Sequence, residues 1–220
     1  MIELILPAKA ASAEAFADTP DTVLFPEERA LVAKAVEKRR QEFTTARGCA
    51  RRALAALGVT PAPILIGERG APQWPPGFVG SITHCGGYRA AAVARASDMV
   101  TVGLDAEPDH ALPDGVLDVI SLPSERARLA SLAAAASDTC WDRLLFSAKE
   151  STYKAWFPLT RRWLGFEDAD ITINPADGTF EVRLLVDSPL LPGLNGRWLA
   201  SRGLILTAIA IQAAAPPGAA

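Results

Sequence analysis

A chain of 220 residues, half of them apolar, can bury a sizeable core either as one generous domain or as two lobes of about 100 residues each. Its 22 Lys and Arg stand against 25 Asp and Glu, a net charge of -3, which argues against a general nucleic-acid binder because such domains are strongly basic. Cys49, Cys85 and Cys140 are odd in number, far apart and without a C-x-x-C pair, so neither a disulfide framework nor a zinc knuckle is indicated and a reducing cytoplasm fits.

The N-terminus places Glu3 within a short apolar run and has no basic stretch ahead of a long apolar core, so no signal peptide is read. No uncharged run reaches the roughly 18 residues of a membrane helix, and a soluble protein without a membrane partner is expected. Residues 26–57 begin with a proline and two glutamates, turn basic and stop at Gly58, the order a helix macrodipole favours, so one or two consecutive helices are expected. Arg40, Arg47 and Arg51 share one stripe there, while Ala50, Leu54 and Leu57 share another. The ordinary reading of such a cationic face is solvation. Residues 58–77, GVTPAPILIGERGAPQWPPG, read as a short strand ILI within Gly- and Pro-rich loops. FVGSITH and YRAAAVA, joined across Cys85-Gly86-Gly87, form a hairpin pattern.

In MVTVGLDAEP the alternation predicts a strand that buries Val100, Val102 and Leu104 and projects Asp105 and Glu107 from the other face, until Pro108 ends the pairing. Residues 109–115 are expected to be mobile and to lead into alanine-rich helix near 124–136. The clearest helix is 140–157, where Trp141, Leu144, Leu145, Ala148, Thr152, Ala155 and Trp156 repeat with helical period and Pro158 is expected to stop it. Residues 169–186 alternate around an Asp-Gly turn, and GRWLASRGLILTAIAIQ adds two strand-like runs before a tail, 213–220, expected to be disordered. Each half thus offers helix plus a few strands, which suggests two similar lobes divided near residue 100.

Asp105 and Glu107, two apart on one strand face and about 7 Å apart along the chain, can converge on one ion and repel each other without a cation. A hard divalent metal resolves that conflict: Mg²⁺ takes one or two carboxylates and keeps its other positions for water and substrate phosphate. D-x-E alone is common, and a pair of surface acids before a proline is the ordinary alternative. Glu150 shares a helix stripe with Phe146, Tyr153 and Phe157 and is therefore partly shielded, with Lys154 one turn on; the ordinary alternative is a surface Glu-Lys pair. His84 ends the strand G-S-I-T and is followed by glycines that let a ligand approach, although a lone histidine is more often a hydrogen-bonded core residue. A Cys85–His84 nucleophilic pair is disfavoured because adjacent strand residues point to opposite faces. Phosphate-loop, nucleophile-elbow and dinucleotide glycine motifs are all missing.

Taken in order, GSITHCGGYRAAAVA, VGLDAEP and WDRLLFSAKESTYKAWFPL resemble the three signature segments of the 4'-phosphopantetheinyl transferases of the surfactin and enterobactin-synthetase type. The likeness extends through WLGFEDADITI and GRW, and upstream into FTTARGCARRAL and GAPQWP. It looks nearest to the longer bacterial members that activate polyketide, fatty-acid and nonribosomal-peptide synthases. The resemblance implies an α+β pseudo-dimer of two similar lobes, 1–100 and 101–212, each a small antiparallel sheet packed on helices. Coenzyme A and Mg²⁺ or Mn²⁺ are expected in the cleft between them, the nucleotide end on the first lobe and the acids on the second. It also implies a reaction: the serine of an apo acyl or peptidyl carrier protein attacks the β-phosphate of coenzyme A, giving holo carrier and 3',5'-ADP.

Carried over residue by residue, Asp105, Glu107 and Glu150 resemble the metal-binding acids, and Glu150 is also similar to the family's candidate general base, with Lys154 and Asp105 in the catalytic set. Lys149 and Lys154 resemble pyrophosphate contacts, His84 with Ser81 or Thr83 coenzyme contacts, and Arg47, with Arg39 or Arg40, the partners of the 3'-phosphate. Some relatives carry a lysine where this chain has Gly70-Ala71-Pro72, which leaves Arg69 to supply that contact, and Cys85 replaces a serine. The competing readings are a non-catalytic coenzyme A or carrier-binding module, against which the intact acids and Lys154 count, and a metal-dependent phosphohydrolase. Two fused lobes would make a monomer sufficient.

Overall fold

The computed structural model describes residues 1–136, 138–188 and 193–214. After a short 3-10 turn at Ile2–Ile5, strand β1 (Ala11–Ala15) leads to helices α1 (Pro26–Leu31) and α2 (Glu37–Ala56), so the helical stretch expected from 26 to 57 is two pieces. Pro26 sits where a helix needs no N–H, and Glu28 reaches back to accept from the Phe25 amide at 3.0 Å. Strands β2 (Phe78–Cys85) and β3 (Tyr88–Arg95) form the expected hairpin, turned at Gly87 with φ +75. With β1 they make an antiparallel sheet of order β1-β3-β2. Cys49, Ala50, Ala53 and Leu54 of α2 pack on Ala91 and Val93 of β3, while Ala90, Ala92 and Ala94 face the opposite side. Alanines suit a central strand covered on both faces, because small side chains let both layers approach closely.

The ILI segment is not a strand. Only an isolated bridge joins Ile66 to Pro72, and Ile64 is instead a buried plug whose amide donates to Glu28 and whose carbonyl accepts from Arg47.

The second sheet is five-stranded and antiparallel. It comprises β4 (Met99–Pro108) and, after helices α3 (Val116–Ile120), α4 (Pro123–Ala135) and α5 (Trp141–Thr160), strands β5 (Ala169–Asn174), β6 (Thr179–Leu184), β7 (Leu194–Ser201) and β8 (Leu204–Gln212). Its order is β4-β8-β7-β6-β5. A register shift between Met99 and Thr101 turns Val100 out to 38% exposure, contrary to the simple alternation. Beyond the shift Val102, Leu104 and Ala106 join the core shared with the first sheet, and Thr101, Gly103 and Asp105 fall on the other face, against α5. Asp105 is therefore buried beneath a helix rather than projecting from an open face.

Pro158 does not stop α5, which runs on to Thr160 and closes at Arg161 in left-handed geometry, its amide donating to Phe157. In the last turn a proline costs one backbone bond without a break. Residues 109–115, expected to be mobile, are tied to α5: Leu112 N donates to Asp142, and the carbonyls of His110 and Ala111 accept from Arg143. Asp109 also accepts from the Cys140 amide.

The chain is an α+β protein whose two antiparallel sheets each pack on helices, and the sheets share a core. Ile2, Ile5, Tyr88 and the outward alanines of β3 meet Met99, Val102, Leu104 and Leu206. Strand β2 runs beside β4, where Ser81 Oγ accepts from Leu104 N at 3.0 Å. No helix among the described residues is long and apolar enough to cross a membrane. The Ala213 amide donates to Asp98, and residues 215–220 of the expected tail lie outside the described residues.

Candidate active site

The seam between β2 and β4 is roofed by α5, and a glycine decides how closely. A Cβ at Gly103 would lie 2.1 Å from the Ser151 carbonyl and 2.6 Å from the Ala155 amide, so only glycine lets β4 approach the helix here. Thr101 Oγ1 fixes the level by donating to Ala155 O at 2.9 Å. At that level Lys154 Nζ stands 2.7 Å from Asp105 Oδ1, which Thr83 Oγ1 also approaches at 3.5 Å. Asp105 is 4% exposed and its second oxygen, Oδ2, is buried with no partner among the described residues.

Glu107, further along β4, is half-buried and accepts from Arg143 Nη1 at 3.0 Å. Burial, and then the charge of Asp105, push its carboxyl above the usual range. Glu150 makes no hydrogen bond or ion pair among the described residues. Burial raises its pKa; Lys154 pulls it down, and Asp105 adds to the rise. The three acids thus occupy one neighbourhood, although among the described residues no three or more His, Cys, Asp or Glu stand close enough together to cage an ion. Mg²⁺ needs only one or two carboxylates, the remainder of its shell being water and phosphate oxygen. The orphaned Asp105 Oδ2 and the unpartnered Glu150 are hard oxygen donors of the kind it takes, so the donor chemistry fits a divalent cation.

A cavity of about 610 Å³ opens beside these groups, lined among others by Arg69, Ser81, Glu150, Tyr153, Lys154 and Phe157. Ser81 accepts from Leu104 and so keeps its own O–H for a ligand, whereas Thr83, 2% exposed, spends its hydroxyl on Asp105. Arg69, in left-handed backbone geometry with φ 51, lays its guanidinium over Trp163 at 5.3 Å. Tyr153 packs on Trp163 at 5.1 Å and on Phe157 at 5.8 Å, and its buried hydroxyl has no partner among the described residues. Tyr153 as a polar group, Trp163 and Arg143 were not singled out from the sequence. Arg143 had a signal, lying seven residues before Glu150 on the same helix face.

On the β2 side Arg39 Nη1 meets His84 Nε2 at 2.7 Å. A guanidinium only donates, so Nε2 accepts and the imidazole is neutral; burial first and Arg39 second hold its pKa down. Arg47 is buried, donating to Ile64 O and stacking on Phe43 at 4.2 Å, and burial lowers its pKa to about 10. The cationic stripe of α2 is therefore not one solvated face: Arg40 folds back onto Glu37 and Ala35 O, and Arg51 is bridged to the buried Glu28.

Lys149 departs most from expectation. It is 3% exposed, paired with Glu125 at 2.9 Å, and donates to the Phe166 and Ala169 carbonyls, inside the second lobe and away from the cavity. The period of α5 explains this, since residues 149 and 150 point about 100° apart.

Two antiparallel sheets meeting at a seam of acids, cations and aromatics define a two-part α+β transferase architecture. Residues 27–94 match the family model of the 4'-phosphopantetheinyl transferase N-terminal domain and residues 101–200 that of the 4'-phosphopantetheinyl transferase superfamily. The chain is 56% identical to the 4'-phosphopantetheinyl transferase Svp of Streptomyces mobaraensis, over all of this chain and 92% of that protein. It is 53% identical to PptT of Mycobacterium tuberculosis, over 96% of this chain and 98% of the relative. Enterobactin synthase component D of Escherichia coli is 38% identical over 120 residues, 54% of this chain and 55% of that protein. The chain belongs to the 4'-phosphopantetheinyl transferases.

Proposed function

We propose that this enzyme transfers the 4'-phosphopantetheine arm of coenzyme A to the serine of apo acyl and peptidyl carrier proteins at the seam between its sheets, with Mg²⁺ or Mn²⁺ held by Asp105, Glu150 and, directly or through water, Glu107. The observation that carries the reading is Glu150, a shielded carboxylate with no partner of its own among the described residues, on the wall of the same cavity as Lys154 and Ser81.

The first lobe, 1–100, takes the nucleotide end, with Arg39, Arg47 and His84 toward the 3'-phosphate side; Arg39 is close enough to Arg47 to depress its pKa further. Neutral His84 and the free O–H of Ser81 then act as hydrogen-bond donors, and Arg69 and Lys154 meet the pyrophosphate. The second lobe, 101–212, carries the acids. Lys149 and Thr83, buried and paired within the protein, are not assigned to the coenzyme, and neither is Arg40, whose three guanidinium nitrogens all donate to Glu37 and Ala35 O. Arg39 and Arg47 each spend only one nitrogen on a protein partner among the described residues.

When bound, the cation neutralises charge on the pyrophosphate oxygens, the chief requirement of phosphoryl-type transfer. Glu150 accepts the proton of the carrier serine, directly or through a water, as its oxygen attacks the β-phosphorus; the bond from that phosphorus to the bridging oxygen breaks, and 3',5'-ADP leaves. Lys154 holds the charge that the leaving oxygen gains. The raised pKa of Glu150 suits a base, since a carboxylate pulled far down would be a poor proton acceptor. The reading includes a monomer working in the cytoplasm.

The test is to incubate the protein with Mg²⁺, coenzyme A and an apo carrier and weigh the carrier by mass spectrometry. Gain of one phosphopantetheine arm is expected. Coenzyme cleavage without gain of mass points to hydrolysis, binding without either points to a non-catalytic module, and both outcomes sink the reading.

A further inference from the structure

Ile64 is buried outside any strand, so its N–H has no ladder partner and must find another acceptor. It finds Glu28 Oε1 at 2.9 Å, in α1, 36 residues earlier. Glu28 is wholly buried and each of its oxygens accepts twice: Oε1 from Ile64 N and Arg51 Nη1 at 2.9 Å each, Oε2 from the Phe25 amide at 3.0 Å and the same Arg51 nitrogen at 2.7 Å. The carbonyl of Ile64 in turn accepts from Arg47 Nε at 2.8 Å, and the Arg47 guanidinium lies on the Phe43 ring at 4.2 Å. One bond and one stacking face fix the place and the plane of that guanidinium, and they leave Nη1 and Nη2 without a partner among the described residues. A planar fork with two free nitrogens is the geometry that grips a phosphate group bidentately.

We propose that Glu28 is a positioning residue for coenzyme recognition: by anchoring Ile64 it aims the Arg47 fork at the 3'-phosphate, and it thereby sets how strongly the enzyme prefers coenzyme A to the 3'-dephospho form. The inference rests on the placement of Arg47 at the nucleotide end given above. Charge runs through Glu28 as well as position. Burial lowers the pKa of Arg47, Glu28 opposes the fall, and Arg51 and Arg39 add to it, so this carboxylate is what keeps a buried fork cationic beside two other cations. An amide cannot take its place. The Oε1 side faces the Ile64 N–H and the Oε2 side the Phe25 N–H, so in either orientation the NH₂ of a glutamine would meet another donor. A residue that merely stapled the fold would be indifferent to what the fork binds, whereas coenzyme A and its dephospho form differ only in the group that Arg47 would hold.

The affinities of coenzyme A and 3'-dephospho-coenzyme A are measured by titration calorimetry on the full-length wild type, Glu28→Gln, Arg47→Gln and the double variant. The wild type should bind coenzyme A about tenfold or more tighter than the dephospho form, as expected for hydrogen bonds between charged groups. Glu28→Gln should cut that preference about fivefold by weakening coenzyme A, with the affinity for the dephospho form unchanged. In the Arg47→Gln background, where the fork is gone, Glu28→Gln should change the preference no further, because the two residues act in series. Should Glu28→Gln fail to fold, by circular dichroism, Glu28→Asp takes its place: it keeps the charge opposite Arg51, shortens the reach to Ile64 by one methylene, and is expected to show the same loss. A Glu28 variant that weakens both ligands alike, keeps the wild-type preference, or lowers it again after Arg47→Gln overturns the inference. With a wild type that loads the carrier and prefers coenzyme A, that result leaves the transferase reading standing. A wild type that loads the carrier but binds both forms equally removes the placement of Arg47 and this inference with it; one that neither loads the carrier nor binds coenzyme A removes the transferase reading too.

Discussion

Glu150 is held in a way that stability alone would not choose. Its carboxyl is raised above the ordinary value by burial, so the unfolded chain gives up this proton first as pH rises, and above its folded pKa the charged form works against folding. Glu150→Gln should therefore melt at a higher temperature than wild type near pH 7.5 and lose most transfer, while coenzyme A still binds. In acid, where the carboxyl is protonated in both states, the gain in melting temperature should shrink. Paired thermal melts at about pH 3.5, below the ordinary glutamate pKa, and at about pH 7.5 read this directly, and a variant equally or less stable at neutral pH would remove the strain argument. If Glu150 is the base, as proposed, carrier loading by the wild type should fall as pH drops through its raised pKa, because the carboxyl is then protonated. Sequence reading found Glu150 from its shared stripe with Phe146, Tyr153 and Phe157. It could not find that Lys149 points elsewhere, since the partner that claims it, Glu125, lies in another helix, and pairings across such distances leave no trace in local periodicity.

At the scale of elements, α5 is set by what it meets on two sides. Toward β4 the contact depends on Gly103, and Gly103→Ala would drive a methyl into the backbone of Ser151 and Ala155, atoms that cannot rotate away. Overpacking of this kind costs about 1–3 kcal/mol. The shift should part Asp105 from Glu150 and Lys154, so carrier loading by the folded fraction should drop more than tenfold in single-turnover measurements; full activity in a stable variant would mean that the helix can retreat without disturbing the acids. On the other side Lys149 and Glu125 tie α5 to α4, and Glu125 also accepts from the Leu122 and Ile171 amides. Breaking a buried pair by removing one partner costs about 3–5 kcal/mol, so Lys149→Ala should unfold at much lower urea concentration. Because its ammonium is away from the cavity, the folded remainder should keep its KM for coenzyme A; a raised KM would restore Lys149 to the pyrophosphate. The hairpin, the acidic strand and α5 were legible because each shows its own period. The register shift at Val100, the passage of α5 through Pro158 and the tethering of 109–115 were not, because each depends on a neighbour supplied by another part of the chain.

Across the whole molecule, the division into two lobes is visible in the sheets and erased in the core. One apolar cluster buries Tyr88, Ala90 and Ala92 from the first sheet with Val102, Leu104 and Leu206 from the second, and Ile2 and Ile5 wedge into the same layer. Neither half could expose that layer without exposing apolar surface of the other, so the loss would be felt by both. Calorimetry should therefore give one cooperative transition, with calorimetric and van't Hoff enthalpies equal, in place of the two that loosely tethered lobes would show. Coenzyme A bound across the seam should raise that single transition as a unit, by about 2.7 kcal/mol at a hundredfold excess over its Kd. Two resolved transitions, with only one of them moved by coenzyme A, would mean that the shared core does not couple the lobes. If the transition is single, the shared core that holds Ser81 of β2 against Leu104 of β4 also keeps the acids of one sheet in register with the proposed coenzyme donors of the other before any ligand binds.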